Sequence, residues 1–381
     1  MHKPKSGFVA HFSGVFLLLF LSLLSACVST PEKQDPLAPL VFPSPPDPAR
    51  FVFERTLRGS TDAKPQGDED SVNLQNMLSG ETGPAGKGFN KPYGITVRQG
   101  RIYVGDTVSR TVMMLDPANG QSKEIGAEDP GGLVKPMGID SDAQGNLYVV
   151  DATKKWVMVY DKDGKYIRAI GGAKEFDRPS GVAVNLEGTR VFVADTSSSR
   201  GKNENHRVRV YDAKSGKFLF DIGQRGSKDG EFNLIRDARI GPDKNLYVVD
   251  GGNFRIQVFN QDGKFIRQFG TVGRRLGQFA RPKGIAMDRE GNLYVSDASH
   301  ANFQIFTKDG QLLMFIGTRG SEKERASYML PAMIAVDEDG RVYMVDQGYG
   351  KVDVYRPAHL KENEGFLGVA FEKLKKMKSK E

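Results

Sequence analysis

From about residue 90 to 356, apolar and polar positions alternate in short runs cut by Asp/Gly turns. The stretch "RPKGIAMDREGNLYVSDASHANFQIFTKDGQLLMFIG" (281–317) contains four such runs, and "KPMGIDSDAQGNLYVVDATKKWVMVYDKDGKYIRAIG" (135–171) repeats them. Strict alternation of β-branched and aromatic residues with polar ones marks a half-buried strand, and an Asp-x-x-Gly turn between two runs marks a hairpin. An aspartate closes the second run of each unit, at Asp106, Asp151, Asp195, Asp250, Asp297 and Asp346. These marks recur every 44 to 55 residues. A period of this size made only of strands predicts propeller blades, and the absence of 12-residue amphipathic stretches argues against βαβ folds. The expected fold is all-β, a six-bladed β-propeller.

The motifs Pro-x-Gly-Ile-Ala-x-Asp, Gly-Asn-Leu-Tyr-Val-x-Asp, Arg-Ile-Gln-Val-Phe and the loop "GQFARP" (277–282) resemble NHL repeats over about residues 88 to 356. That resemblance also implies six blades. The sixth unit ends at "VDVYRPAHL" (352–360) without a fourth run, while "RFVFERTLRG" (50–59) precedes the first unit as an orphan. The N-terminal segment is therefore expected to close the last blade and leave no open edge, with "GFLGVAF" (365–371) as its competitor.

The ends read differently from the body. Lys3 and Lys5 precede an apolar run, Val15 to Leu24, which stops at Leu24-Ser25-Ala26-Cys27. This predicts a secretory signal over 1–26, too short to span a bilayer. Leu-Ser-Ala-Cys resembles a bacterial lipobox, which implies lipidation of Cys27, and Val28 after it resembles the outer-membrane sorting pattern. The implied location is the cell envelope, at the outer membrane and facing the periplasm or exterior. Cys27 is the sole cysteine, so no disulfide or thiolate site is expected in the fold. Residues 27–49 are proline-rich and read as an extended tether. Residues 50–360 form the propeller, and 361–381 read as a basic, solvated tail. Phe371, Leu374 and Met377 in that tail also permit a short amphipathic helix.

The formal charge of +7 sits mostly at these ends, so the body is nearly neutral. With export, this disfavours a nucleic-acid partner. Candidate chemistry comes from breaks in the repeat. Residues present in every unit, including the six aspartates, read as architecture, because a carboxylate at a strand end caps the backbone of a turn. Registering the first strands gives one channel ring of Thr96, Asp140, Ala183, Arg239, Ala286 and Ala335. In "IRDARIGPD" (235–243), Arg236 and Asp237 replace the residues found as Lys283 and Gly284 one blade later. Asp140, Arg236, Asp237 and Arg239 are therefore candidates for an anion site at the channel mouth, with Arg274, Arg275, Arg281 and Lys283 as its basic rim. The alternative is that Asp140 and Arg239 pair with each other and fix blade register.

Longer, variable loops lie on one face and short turns on the other, so the loop-rich face is the expected binding face. The favoured function is a lipid-anchored scaffold for an envelope protein or an anionic polymer. The rival is a metal-dependent lyase or lactonase in the channel around Asp140 and Arg239. Related propeller lyases hold zinc with several channel histidines, and gluconolactonase-like propellers hold calcium with inward Glu, Asn and Asp. Outside the signal this chain has His206, His300 and His359 alone, and Asp140 by itself makes no calcium cage. No metal or cofactor is expected, and oligomeric state is open.

Overall fold

Six antiparallel sheets radiate from a ring of first strands, and each sheet owes its form to alternating side chains with tight turns. In the computed structural model, residues 38–64, 86–197 and 205–378 are described. The expected signal, Cys27 and most of the tether lie outside them. Blades one to five are four-stranded and each is consecutive in sequence, as in Pro282–Met287, Leu293–Asp297, Asn302–Phe306 and Leu312–Ile316 of blade five. The six first strands begin at Pro92, Pro136, Pro179, Ile235, Pro282 and Pro331 and line the channel, each against the next. The chain is thus the six-bladed all-β propeller that its periodicity predicts.

Blade six joins both ends of the chain. Phe51–Leu57 pairs antiparallel with Lys351–Pro357, outside Val342–Asp346 and Pro331–Val336. Inside this closure Thr56 donates to Asp353 at 2.7 Å, and buried Lys351 donates to the same carboxylate at 2.8 Å. Val41–Phe42 adds a short outer strand.

The segment expected as a solvated tail is partly folded. Gly365–Lys378 is an α-helix, not a strand, and Leu367, Ala370 and Phe371 on one face are buried. Leu367 and Phe371 join a core cluster with Leu57, Ile102 and Leu115. Burial at i, i+3 and i+4 is sufficient to hold a helix that its lysines alone would leave solvated. The Arg55 guanidinium stacks over Phe371, 4.2 Å from the ring centre.

Between most blades the packing unit is an aromatic ring from the connecting loop, with Leu133 in its place between blades one and two. Phe279 lies 5.5 Å from Phe306, ring centre to ring centre, and Phe232 is as far from Phe259. The glycine that ends the preceding fourth strand sits beneath that ring. Gly270 has φ +102°, and a Cβ there would meet Phe279 at 2.5 Å. This explains why Gly and Phe recur together in the loops.

Each of the six strand-end aspartates is tied to backbone amides. Asp297 accepts from Ala280, Arg281, Ser299 and His300, so one carboxylate joins the loop entering its blade to the next turn. Asp106 does the same with Asn90, Lys91, Val108 and Ser109.

Candidate functional site

The break in blade four is tolerated because its neighbours are small. A Cβ placed on Gly181 in blade three would stand 2.8 Å from Asp237 Cα and 2.9 Å from Asp237 Oδ1. The glycine lets the two first strands approach, as Gly138 and Gly284 do in their blades, and Asp237 Oδ1 fits into the same space. Asp237 is 1% exposed, and its Oδ2 accepts the Ile285 amide at 3.1 Å, bridging blades four and five.

Arg239 crosses the channel. Its Nη1 stands 2.7 Å from Asp140 Oδ1 in blade two, an ion contact without hydrogen-bond alignment. Its Nε and Nη2 donate to the carbonyls of Ile285 in blade five and Ile95 in blade one, at 3.3 and 3.2 Å. Asp140 Oδ2 accepts the Val184 amide at 2.9 Å. Thr96, Ala183, Ala286 and Ala335 complete this ring, and their small side chains leave the width the guanidinium needs. Asp140 and Arg239 are therefore in direct contact, as a strut joining blades one, two, four and five.

The strut does not lie at the loop-rich mouth. It borders a cavity of about 320 Å³ lined by Arg98, Ser141, Leu186, Pro242, Asp288 and Glu338, residues at the short turns. Arg98 there pairs with Glu338 at 3.1 Å. Among the described residues, no group of three or more His, Cys, Asp or Glu side chains is placed to hold a metal ion.

The loop-rich mouth carries a different set. Arg236 and Lys283, one blade apart at equivalent positions, share electrostatic reach with Arg281, and Arg236 also with Arg178 and Tyr93. Burial lowers the proton affinity of Lys283 to about 8, and Arg236 and Arg281 lower it further. Burial likewise holds Arg236 below the ordinary arginine range, against the opposing pull of Tyr93 and with Arg178 and Arg281 adding to it. Burial also pushes the Tyr93 phenol up to about 12. None of Arg178, Arg236, Arg281 and Lys283 is ion-paired with an acid among the described residues. Asp297, the acid felt at Lys283, has both oxygens committed to backbone amides.

The candidates thus separate into two groups. Arg236 and Lys283 belong to the mouth, while Asp140 and Arg239 form the strut and Asp237 ties the wall. Arg274 and Arg275 sit exposed on the loop before blade five, apart from the charges felt at Lys283. Arg178 and Tyr93 were not singled out from the sequence. Arg178 occupies the slot before the first-strand proline, which also holds Lys91, Lys135 and Arg281. The slot is cationic in four blades and holds Leu234 and Leu330 in the other two, so Arg178 is no break in the repeat. Tyr93 holds in blade one the slot of Lys283.

Asp237 makes stability depend on pH. Burial raises its carboxyl to about 6, against the lowering pull of Arg239 and two backbone amides. A folded value above the ordinary 3.8 means the fold favours the protonated form. That stabilisation is complete below about pH 4 and is lost as pH rises through 6. Asp237→Asn keeps an acceptor for the Ile285 amide without the charge. It is expected to exceed the parent in unfolding free energy by up to about 3 kcal/mol at pH 8, and by little at pH 4. Urea titrations at both values check this; a gap that does not change with pH would contradict it.

A family model for the NHL repeat matches residues 176–211. Over 91 residues, 23% of the chain, the sequence is 33% identical to Protein brain tumor of Drosophila melanogaster, and it spans 8% of that protein's length. A solved structure of unknown function from Bacteroides thetaiotaomicron matches at TM-score 0.59 and 16% identity, covering 81% of this chain and 76% of that one. A gluconolactonase from Xanthomonas campestris matches at 0.55 and 19%, covering 74% and 92%. Virginiamycin B lyase from Staphylococcus aureus matches at 0.51 and 14%, covering 70% and 95%. At these identities the likeness is one of fold.

Proposed function

We propose that this six-bladed propeller, which carries an NHL repeat, is a binding scaffold that receives an anionic group of its partner at the loop-rich channel mouth. The observation that carries this reading is the set Arg178, Arg236, Arg281 and Lys283, gathered without an acid paired to any of them among the described residues. Like charges brought together at a cost in proton affinity are stabilised when an anion enters, and arginine forks match carboxylate and phosphate oxygens. The partner is an envelope protein or an anionic polymer, and lipid on Cys27 holds the scaffold at the bacterial outer membrane. Support for the anchor is the Leu-Ser-Ala-Cys sequence.

The likeness to a gluconolactonase and a lyase brings no reaction with it, because at 19% and 14% identity it extends to fold alone. The Arg239–Asp140 contact instead gives that pair a structural task, since removal of either partner would leave the other charge buried and uncompensated.

The test is calorimetric titration of tripolyphosphate and of citrate into residues 38–381 at low salt. One saturable site for at least one of them, weakened by salt, is expected. Heats no larger than dilution for both would overturn the reading. Elemental analysis of the same preparation provides the counter-test: a stoichiometric zinc or calcium lost on Asp140→Ala would favour the metal-dependent enzyme.

A further inference from the structure

We propose that the C-terminal helix is a docking surface for an anionic lipid bilayer and that it turns the short-turn face of the propeller toward the membrane. The helix Gly365–Lys378 uses Leu367, Ala370 and Phe371 to pack on the propeller. Its outward stripe carries Phe366 and Val369, 43% and 58% exposed, followed by exposed Lys373 and Lys376. These four positions, spaced three, four and three apart, lie on one side of an α-helix. Phe366, Val369, Ala370 and Lys373 also border a groove of about 530 Å³ with Gly100, Asp116 and Ala118 of blade one and Asp339 of blade six.

The helix is held to the turn face at two points. The Phe366 amide donates to Asp339 in the first turn of blade six. Gly100, in the first turn of blade one, lies beneath Phe366, where an added Cβ would stand 3.2 Å from Phe366 Cβ. An occupant of the stripe therefore meets the face opposite the channel mouth.

Charge selects the occupant. Lys375, Lys378 and Lys380 follow in sequence beside Lys373 and Lys376, against Glu372 and Glu381. Apolar side chains backed by lysines match the boundary between headgroups and acyl chains of an anionic bilayer, where the rings enter and the ammonium groups remain with phosphates. An amphipathic helix of this kind lies in the interface plane, and no described helix is long and apolar enough to cross a membrane. Such seating would point the loop-rich face away from the bilayer.

The test is co-sedimentation of residues 38–381, which contain the compact unit Leu40–Glu381, with phosphatidylcholine vesicles with and without phosphatidylglycerol. The protein is expected to sediment with the phosphatidylglycerol vesicles and to be released by salt. Phe366→Ser with Val369→Ser, and separately Lys373→Glu with Lys376→Glu, should each weaken binding roughly tenfold or more. Binding is compared under conditions where urea unfolding shows each variant fully folded, which excludes unfolding as the cause. Equal binding to both vesicle types, or full binding by both variants, overturns the proposal. So does a dimer in solution that the Phe366/Val369 variant dissociates, since a second copy would then be the occupant. Arg236→Ala with Lys283→Ala should leave vesicle binding intact, so failure of the strap and failure of the channel-mouth reading are separable.

Discussion

Arg341→Ala is expected to lower the unfolding free energy by about 3 kcal/mol, because it takes from a buried carboxylate the cation hydrogen-bonded to it. Arg341 is fully buried, and its Nε donates to Glu54 Oε2 at 2.8 Å, with the Glu54 side chain 1% exposed. Its Nη2 donates to the carbonyls of Glu364 and Glu362 at 2.9 and 3.4 Å. One guanidinium thus holds the N-terminal strand that completes blade six and the lead into the C-terminal helix. Its removal leaves Glu54 with the Arg55 guanidinium, 3.6 Å away, as its remaining cation among the described residues, and releases both segments. Urea unfolding measures the loss, and limited proteolysis should place the first cleavages near residues 50–59. Arg341→Met with Glu54→Leu removes both charges and should recover most of the deficit, as apolar replacement of a buried pair usually does. A parent-like midpoint for Arg341→Ala would mean that backbone pairing alone closes the ring.

The second large effect is on ligand affinity. Arg236→Ala with Lys283→Ala is expected to weaken tripolyphosphate or citrate binding roughly a hundredfold or more, since each substitution removes a charge-assisted hydrogen bond. The pH profile separates a site from a diffuse positive field. Lys283 titrates near 8 in the free protein, and an anion beside it favours the protonated form. Binding above pH 8 must therefore take up a proton, and affinity should fall between pH 7 and 9. Lys283→Arg should hold its affinity across that range, because a guanidinium stays charged. Identical pH slopes for the parent and Lys283→Arg would remove Lys283 from the site, and an unchanged affinity in the double variant would remove the site itself.

The fold and the candidate site were not equally legible in the sequence. Blade number and strand order were legible because the forces that set them are local. Alternation at period two, an Asp-x-x-Gly turn and a strand-end aspartate each act within a few residues, and six copies reinforce the pattern. The first-strand ring was legible for the same reason, since equivalent positions in a closed repeat share one height in the channel.

What alternation could not settle was which charges meet. Arg239 and Asp140 are 99 residues apart, and their contact depends on channel width, which the small members of the ring set together. Asp237 reads as a site residue in the sequence, but its carboxylate is buried and bound to the Ile285 amide of the next blade. Reading residues common to all six units as architecture succeeded for Asp297, whose partners are backbone amides, and searching only for breaks in the repeat passed over Arg178, whose neighbours are other cations. The C-terminal segment shows the limit most directly. Its lysines favour solvation when taken alone, and burial of Leu367 and Phe371 against blade one outweighs them. The sequence by itself determined the repeating unit, its count and the positions where the repeat breaks. Tertiary structure decided which breaks face one another and which end of the channel they occupy. Electrostatic pairing and burial act through space, between side chains that the sequence places far apart.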